Sequence, residues 1–177
     1  MNNVRLDAGH IQIYTGDGKG KTTAALGLAL RAAGHGLRTY IGQFLKGQGS
    51  GELEAVRELP AITIEQYGGA ALVRPEDIGP DDMDRAQEGL AKARQAMLSG
   101  EYSIVVLDEV NVALSLGLLE LDDVLALLDR KPQVVELVLT GCGAPEGLVE
   151  RADLVTEMRR VKHYFERGVK ARSGIED

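Results

Sequence analysis

Apolar and polar residues follow two spacings along this chain, and the spacings divide it into elements. Residues 10–14 (His-Ile-Gln-Ile-Tyr) alternate as a half-buried strand does, and further strand-like runs fall at 38–44, 61–67, 102–107, 134–140 and 153–158. Helical spacing separates most of them. Residues 24–33 are rich in Ala and Leu, strong helix formers, and Gly34 suits the stop. Over 81–98 the period is clearest, with Met83, Ala86, Leu90, Ala93 and Met97 predicted on one face. Pro80 fits the first turn of that helix and Ser99-Gly100 its end; 121–128 reads as a shorter helix closed by Lys131-Pro132. Strands alternating with helices predict an α/β fold: three layers around a mainly parallel sheet of about six strands. Two glycine-bearing connections, 46–51 and 68–79, are long enough to act as lids.

The first strand–helix junction carries chemistry. Residues 15–23 read Thr-Gly-Asp-Gly-Lys-Gly-Lys-Thr-Thr. Glycines let a backbone curl so that successive N–H groups point inward, and the helix N-terminus adds its partial positive charge. Lys21 can reach a phosphate and the Thr22 hydroxyl can hold Mg2+, so Gly16, Asp17, Gly18, Lys19, Gly20, Lys21, Thr22 and Thr23 form a candidate nucleoside triphosphate cradle. The usual G-x-x-x-x-G-K-[ST] pattern wants glycine at position 15; here Thr15 stands there and Gly16 follows.

A second junction reads Ile104-Val105-Val106-Leu107-Asp108-Glu109. The continuous apolar run suits a central parallel strand buried on both faces. Because ligands in such sheets sit at the carboxyl ends of strands, the two acids fall beside the loop. Mg2+ prefers oxygen ligands, which Thr22, Asp108 and Glu109 supply. Glu109 can be a metal ligand or a base, and the residues alone leave that open. Two other segments lie at the same edge: Gln43-Phe44-Leu45-Lys46-Gly47, and Val161-Lys162-His163-Tyr164-Phe165 after the last strand.

Composition narrows the partners. The 177 residues fit one domain, and a net charge of −7 argues against a general nucleic-acid binder. Six basic residues nevertheless crowd 159–172 against Glu166 alone, a strip that suits an anionic ligand, a solvated face or a subunit contact. With no run of eighteen apolar residues, no basic-then-apolar leader and a lone Cys142, a protein of the reducing cytoplasm without a membrane span is expected.

In order along the chain, several segments resemble the P-loop-type ATP:corrinoid adenosyltransferase family. They are residues 16–23, Arg31-Ala32-Ala33-Gly34-His35-Gly36, Gln43-Phe44-Leu45-Lys46-Gly47, Val105-Val106-Leu107-Asp108-Glu109, Leu139-Thr140-Gly141, Glu157-Met158-Arg159, Val161-Lys162-His163 and residues 168–175. The resemblance implies a RecA-like P-loop sheet that binds ATP reversed relative to common NTPases. It also implies attack of a Co(I) corrinoid on the ribose 5′ carbon of ATP, with triphosphate expelled, in adenosylcobalamin biosynthesis or salvage. Lys19, Lys21, Thr22 and Glu109 would then be catalytic, and Gln43, Phe44, Lys46, Leu72, Lys162 and His163 candidate corrinoid contacts. A flavoprotein reductant and a homodimer are further implications. Two positions depart from the family's pattern: residues 68–73 carry no aromatic after Tyr67, and Cys142 stands where many relatives have arginine. The competing readings are a corrinoid carrier switched by ATP, and a plain ATPase or kinase.

Overall fold

A computed structural model describes residues 4–47, 49–69 and 75–176. The strands are β1 (Ile11–Thr15), β2 (Thr39–Phe44), β3 (Ile62–Tyr67), β4 (Ile104–Asp108), β5 (Glu136–Thr140) and β6 (Leu154–Glu157). The helices are α1 (Lys21–Ala33), α2 (Gly51–Val56), α3 (Pro80–Leu98), α4 (Val110–Ser115), α5 (Leu121–Asp129) and α6 (Glu146–Val149). Every predicted strand and long helix is present, and each observed end lies within three residues of its expected place. The short helices α2, α4 and α6 were not anticipated.

The strand order is β3-β2-β4-β5-β1-β6, and every pairing is parallel. β1, which leads into the glycine loop, is therefore separated from the acid-bearing β4 by one strand, β5. The chain leaves β1 through α1, passes β5 and β4, and re-enters the sheet at β2. That reversal opens a crevice at the carboxyl ends, where open α/β sheets bind ligands.

Strand residues alternate between two cores. Val105 and Leu107 pack with α3, α4 and α5, whereas Ile104 and Val106 pack with Ala25, Ala29 and Ala32 of α1. This double burial is why β4 is apolar throughout. The three alanines spaced along α1 give it a small-residue stripe for seating on the sheet.

α3 begins with Pro80 at its first position, and the Asp82 carboxylate accepts the Gly79 N–H at 3.1 Å. Its buried face is Ala86, Gly89, Leu90, Ala93, Ala96 and Met97. Met83, expected on that face, is 46% exposed: it lies one turn before the first buried residue of the helix, Ala86. Gly89 is where the helix comes closest, since a Cβ there would approach the Tyr67 ring to 2.8 Å. Among the described residues no helix is long and apolar enough to cross a membrane.

Candidate functional site

The face of the sheet that meets α1 ends in polar residues. On β4 the side chains of Ile104, Val106 and Asp108 share that face, so the strand's period delivers Asp108 toward α1. The same count puts Gln43 at the end of β2, Gln66 near the end of β3 and Thr140 at the end of β5, with Gln43 opposite both Gln66 and Asp108. A hydrogen-bonded row results. Gln66 Nε2 donates to Gln43 Oε1 at 3.0 Å, and Gln43 Nε2 donates to Asp108 Oδ2 at 3.1 Å. Thr140 Oγ1 donates to Asp108 Oδ1 at 2.7 Å, and Thr22 Oγ1 at the start of α1 donates to the same oxygen at 2.9 Å. Lys46 Nζ completes the set, 3.1 Å from Asp108 Oδ2 and 3.5 Å from Glu52 Oε1 on α2.

Gln43, Asp108 and Thr140 have no solvent exposure, so these bonds satisfy groups that would otherwise be costly to bury. Burial pulls the Lys46 ammonium toward neutrality, but Asp108 and Glu52 outweigh it and hold the group charged. Glu109 differs. Burial, then the neighbouring Asp108 charge, raise its carboxyl above the ordinary range, partly opposed by Lys21 and Lys46. No hydrogen bond or ion pair joins its side chain to another described residue, and it lines the cavity.

The glycine loop is shaped by the far end of the chain. Gly18 N–H donates to Met158 O at 2.7 Å, and Met158 N–H donates to Thr15 O at 2.8 Å. A Cβ on Gly16 or Gly18 would stand 2.4 or 2.7 Å from Met158 O. Glycine is needed at both because another backbone lies against the loop. Gly20, at φ +121°, turns the chain into α1. Lys21 Nζ is held by the carbonyls of Gly16 and Gly18 at 2.9 and 2.8 Å, inside the loop at the cavity floor. Asp17 points away from the cavity: its carboxylate accepts the Arg160 N–H at 2.9 Å, a bond that keeps its carboxyl below the usual range.

Lys19 reaches across to the C-terminal tail, donating to Ile175 O at 2.6 Å. Gly174, Ile175 and Glu176 thereby form one wall of a cavity of about 850 Å3 whose opposite wall is Lys46, Glu52, Gln66 and Glu109. Thr22, Thr23 and Leu26 of α1 lie between them. The tail is fastened by Glu176, which accepts from Tyr164 Oη, from Arg172 N–H at 2.8 Å and from the Arg172 guanidinium at 3.0 and 3.2 Å.

Among the sequence candidates, Lys19, Gly20, Lys21, Thr22, Thr23, Lys46 and Glu109 line this cavity. Asp108 stands directly behind it through its bonds to Thr22 and Lys46, and Gln43 stands behind it through its bond to Asp108. Phe44 does not join them; it has no exposure and packs against Tyr67, with ring centroids 6.3 Å apart. Its strand position aims it at the α3 core. His163 caps the turn at Tyr164–Arg167 by accepting the Phe165 N–H at 3.1 Å, and Lys162 is exposed beside it; neither lines the cavity. Leu72 lies outside the described residues. Sequence reasoning did not single out Thr140, Gln66 or Glu52 as functional residues. The strand period carried a signal for the first two, as each sits at a carboxyl end on the α1 face.

The set Thr22, Asp108 and Glu109 suits Mg2+, which takes one or two carboxylates and completes its shell with phosphate and water. The unpaired charge on Glu109 is the feature that asks for a cation. Among the described residues no group of three or more His, Cys, Asp or Glu forms an all-protein metal cage.

A family model described as ATP:corrinoid adenosyltransferase BtuR/CobO/CobP matches residues 7–176. A corrinoid adenosyltransferase of Pseudomonas aeruginosa is 39% identical over 174 residues, covering 98% of this chain and 86% of that protein. One from Escherichia coli K12 is 35% identical over 177 residues, covering 96% and 86%. Among solved structures, a KaiC-like protein of Pyrococcus horikoshii OT3 superposes with a TM-score of 0.56 at 20% identity, covering 86% of this chain and 74% of that one, a likeness of fold alone.

Proposed function

Because this chain belongs to the ATP:corrinoid adenosyltransferase family, whose members transfer the adenosyl group of ATP to cob(I)alamin, we propose that its cavity grips ATP by the triphosphate and turns the ribose 5′ carbon toward the cobalt. The chain is thus a transferase of adenosylcobalamin synthesis. Co(I) supplies an electron pair to C5′, and the C5′–O5′ bond breaks with its pair passing to the triphosphate. Cobalt ends formally as Co(III) bearing a carbon ligand. The nucleophile carries no proton, so the reaction asks no residue to act as a general base, and Glu109 is read as a cation ligand.

What the protein must stabilise is charge growing on the leaving triphosphate. The carrying observation is the convergence of Lys21, Lys19, Lys46 and the first turn of α1 on one cavity. Each charge-assisted hydrogen bond to a phosphate oxygen contributes roughly 1.5–3 kcal/mol net, so several together hold the leaving group in place. Mg2+ held by Thr22, Asp108 and Glu109 would neutralise triphosphate oxygens. Lys46 pairs with Asp108, which supports a phosphate-side role for it. A flavoprotein reductant, a homodimer and a cytoplasmic location complete the proposal.

The test is the inorganic product. Incubated in the dark with ATP, Mg2+ and chemically reduced cobalamin, the protein is expected to form a light-sensitive adenosylated corrinoid and one intact triphosphate per turnover. ADP or orthophosphate with unalkylated cobalt would refute the reading in favour of an ATPase. Tight corrinoid binding without turnover would leave a carrier.

A further inference from the structure

Asp108 and Glu109 are consecutive, and an extended strand sends consecutive side chains to opposite faces. Continued as a strand, β4 would aim Glu109 into the core beneath α3. It does not, because Glu109 adopts the left-handed conformation, φ +65° and ψ +19°, as the N-cap of α4. That backbone state is uncommon for a residue with a side chain, and such states persist where neighbours enforce them. Leu45, at the end of β2, is the other described non-glycine residue with positive φ, and it too lines the cavity.

The neighbour at Glu109 is Thr140. Its hydroxyl accepts the Glu109 N–H at 2.9 Å and donates its own proton to Asp108 Oδ1 at 2.7 Å. One oxygen therefore grips both acids, the first by its side chain and the second by its backbone. The register of β4 with β5, Leu107 opposite Leu139, sets Thr140 beside Asp108. Thr140 is fully buried, a place where valine would pack with the same shape. A hydroxyl there carries a desolvation cost unless its bonds matter.

We propose that Thr140 is a positioning residue that aligns Asp108 and Glu109 as a pair, and so fixes the cation-binding geometry against the triphosphate. The inference rests on the reading of Thr22, Asp108 and Glu109 as a cation site. It assigns Thr140 no contact with substrate. Its hydroxyl sets where two carboxylates stand, and second-layer hydrogen bonds of this kind typically govern metal affinity by about ten- to a hundredfold.

The experiment compares Thr140→Val, Thr140→Ser and Asp108→Asn with the parent. Mn2+ serves as a spin probe in place of Mg2+, and free Mn2+ is read by electron paramagnetic resonance with a non-reacting ATP analogue bound. Thr140→Val is expected to weaken Mn2+ binding by about tenfold and Thr140→Ser to restore it to within about twofold, and valine to lower the melting temperature by a few degrees because the Glu109 N–H loses its buried acceptor. Should valine disturb packing, Thr140→Ala removes the same hydroxyl without added bulk. In turnover, the Mg2+ concentration for half-maximal rate should rise in Thr140→Val while the KM for corrinoid stays put. If Asp108→Asn weakens Mn2+ binding and neither hydroxyl-less variant does, the positioning role is wrong and the cation site stands. If Asp108→Asn leaves Mn2+ binding unchanged as well, the cation-site reading fails and takes the inference with it. Failure of serine to restore binding in a folded variant also overturns it.

Discussion

The two walls of the cavity are built on different principles. One is backed by the row Gln66–Gln43–Asp108–Thr140, of which Gln66 lines the cavity; the row is laid across four strands and joined by hydrogen bonds between residues far apart in sequence. The other is the tail segment ending in Gly174, Ile175 and Glu176, fastened by Glu176 to Tyr164 and Arg172 twelve and four residues away. The first wall cannot shift without disturbing the sheet. The second is more exposed, and apart from the Lys19–Ile175 contact its bonds are local and compete with water.

The sharpest way to break this contrast is at the floor between the walls. Lys21→Ala removes the ammonium held by the Gly16 and Gly18 carbonyls, and adenosyl transfer is expected to fall by about 10²–10³-fold. Corrinoid affinity and the melting curve should barely move. Equal loss of ATP use and corrinoid binding, in a protein that melts normally, would mean that Lys21 does not serve the phosphates.

A smaller effect is expected at Glu109, and its sign follows from the raised carboxyl. A raised folded-state value favours the protonated form, so its contribution is fully present below the unfolded carboxylate range and lost as pH rises through the folded value. At pH 7–8 in metal-free protein the charge is therefore destabilising, and Glu109→Gln should raise the melting temperature by about 1–3 °C. The gain should vanish at pH 4, and Mg2+ with ATP should reverse the ranking. A pH-independent difference between the two proteins would remove the electrostatic explanation.

The smallest effect is expected on the second wall. Glu176→Ala loosens the tail, so amides near 168–176 should exchange with solvent faster, while nucleotide affinity changes by no more than about twofold. A large loss of affinity would show that the tail is part of the binding surface and erase the distinction between the walls.

Much of the first wall could be read from the chain before its structure. The apolar run of β4 marked a strand buried on both sides, and its terminal acids lay where parallel sheets bind ligands. What the pattern hid was three-dimensional. Thr140 is an ordinary strand residue until β5 is found between β1 and β4, because strand order cannot be read from spacing. Phe44 looked like a ligand contact because its segment matches a family motif, but the strand period sends Gln43 to the α1 face and Phe44 to the opposite core. The helices α2, α4 and α6 are at most six residues long, too short for a helical period to register, and exist through packing. Asp17 sits within a phosphate-loop signature yet serves Arg160, a contact that no local pattern announces.

The seating of Gly16 and Gly18 on the main chain of Met158 bears on how this protein matures. During synthesis the stretch around Gly16 and Gly18 leaves the ribosome long before Met158, the residue that moulds it. The nascent polypeptide therefore carries a recognition sequence without a working cradle until β6 docks beside β1. The observed shape of the loop therefore depends on β6, and the loop is expected to lose that shape if transplanted alone into another scaffold.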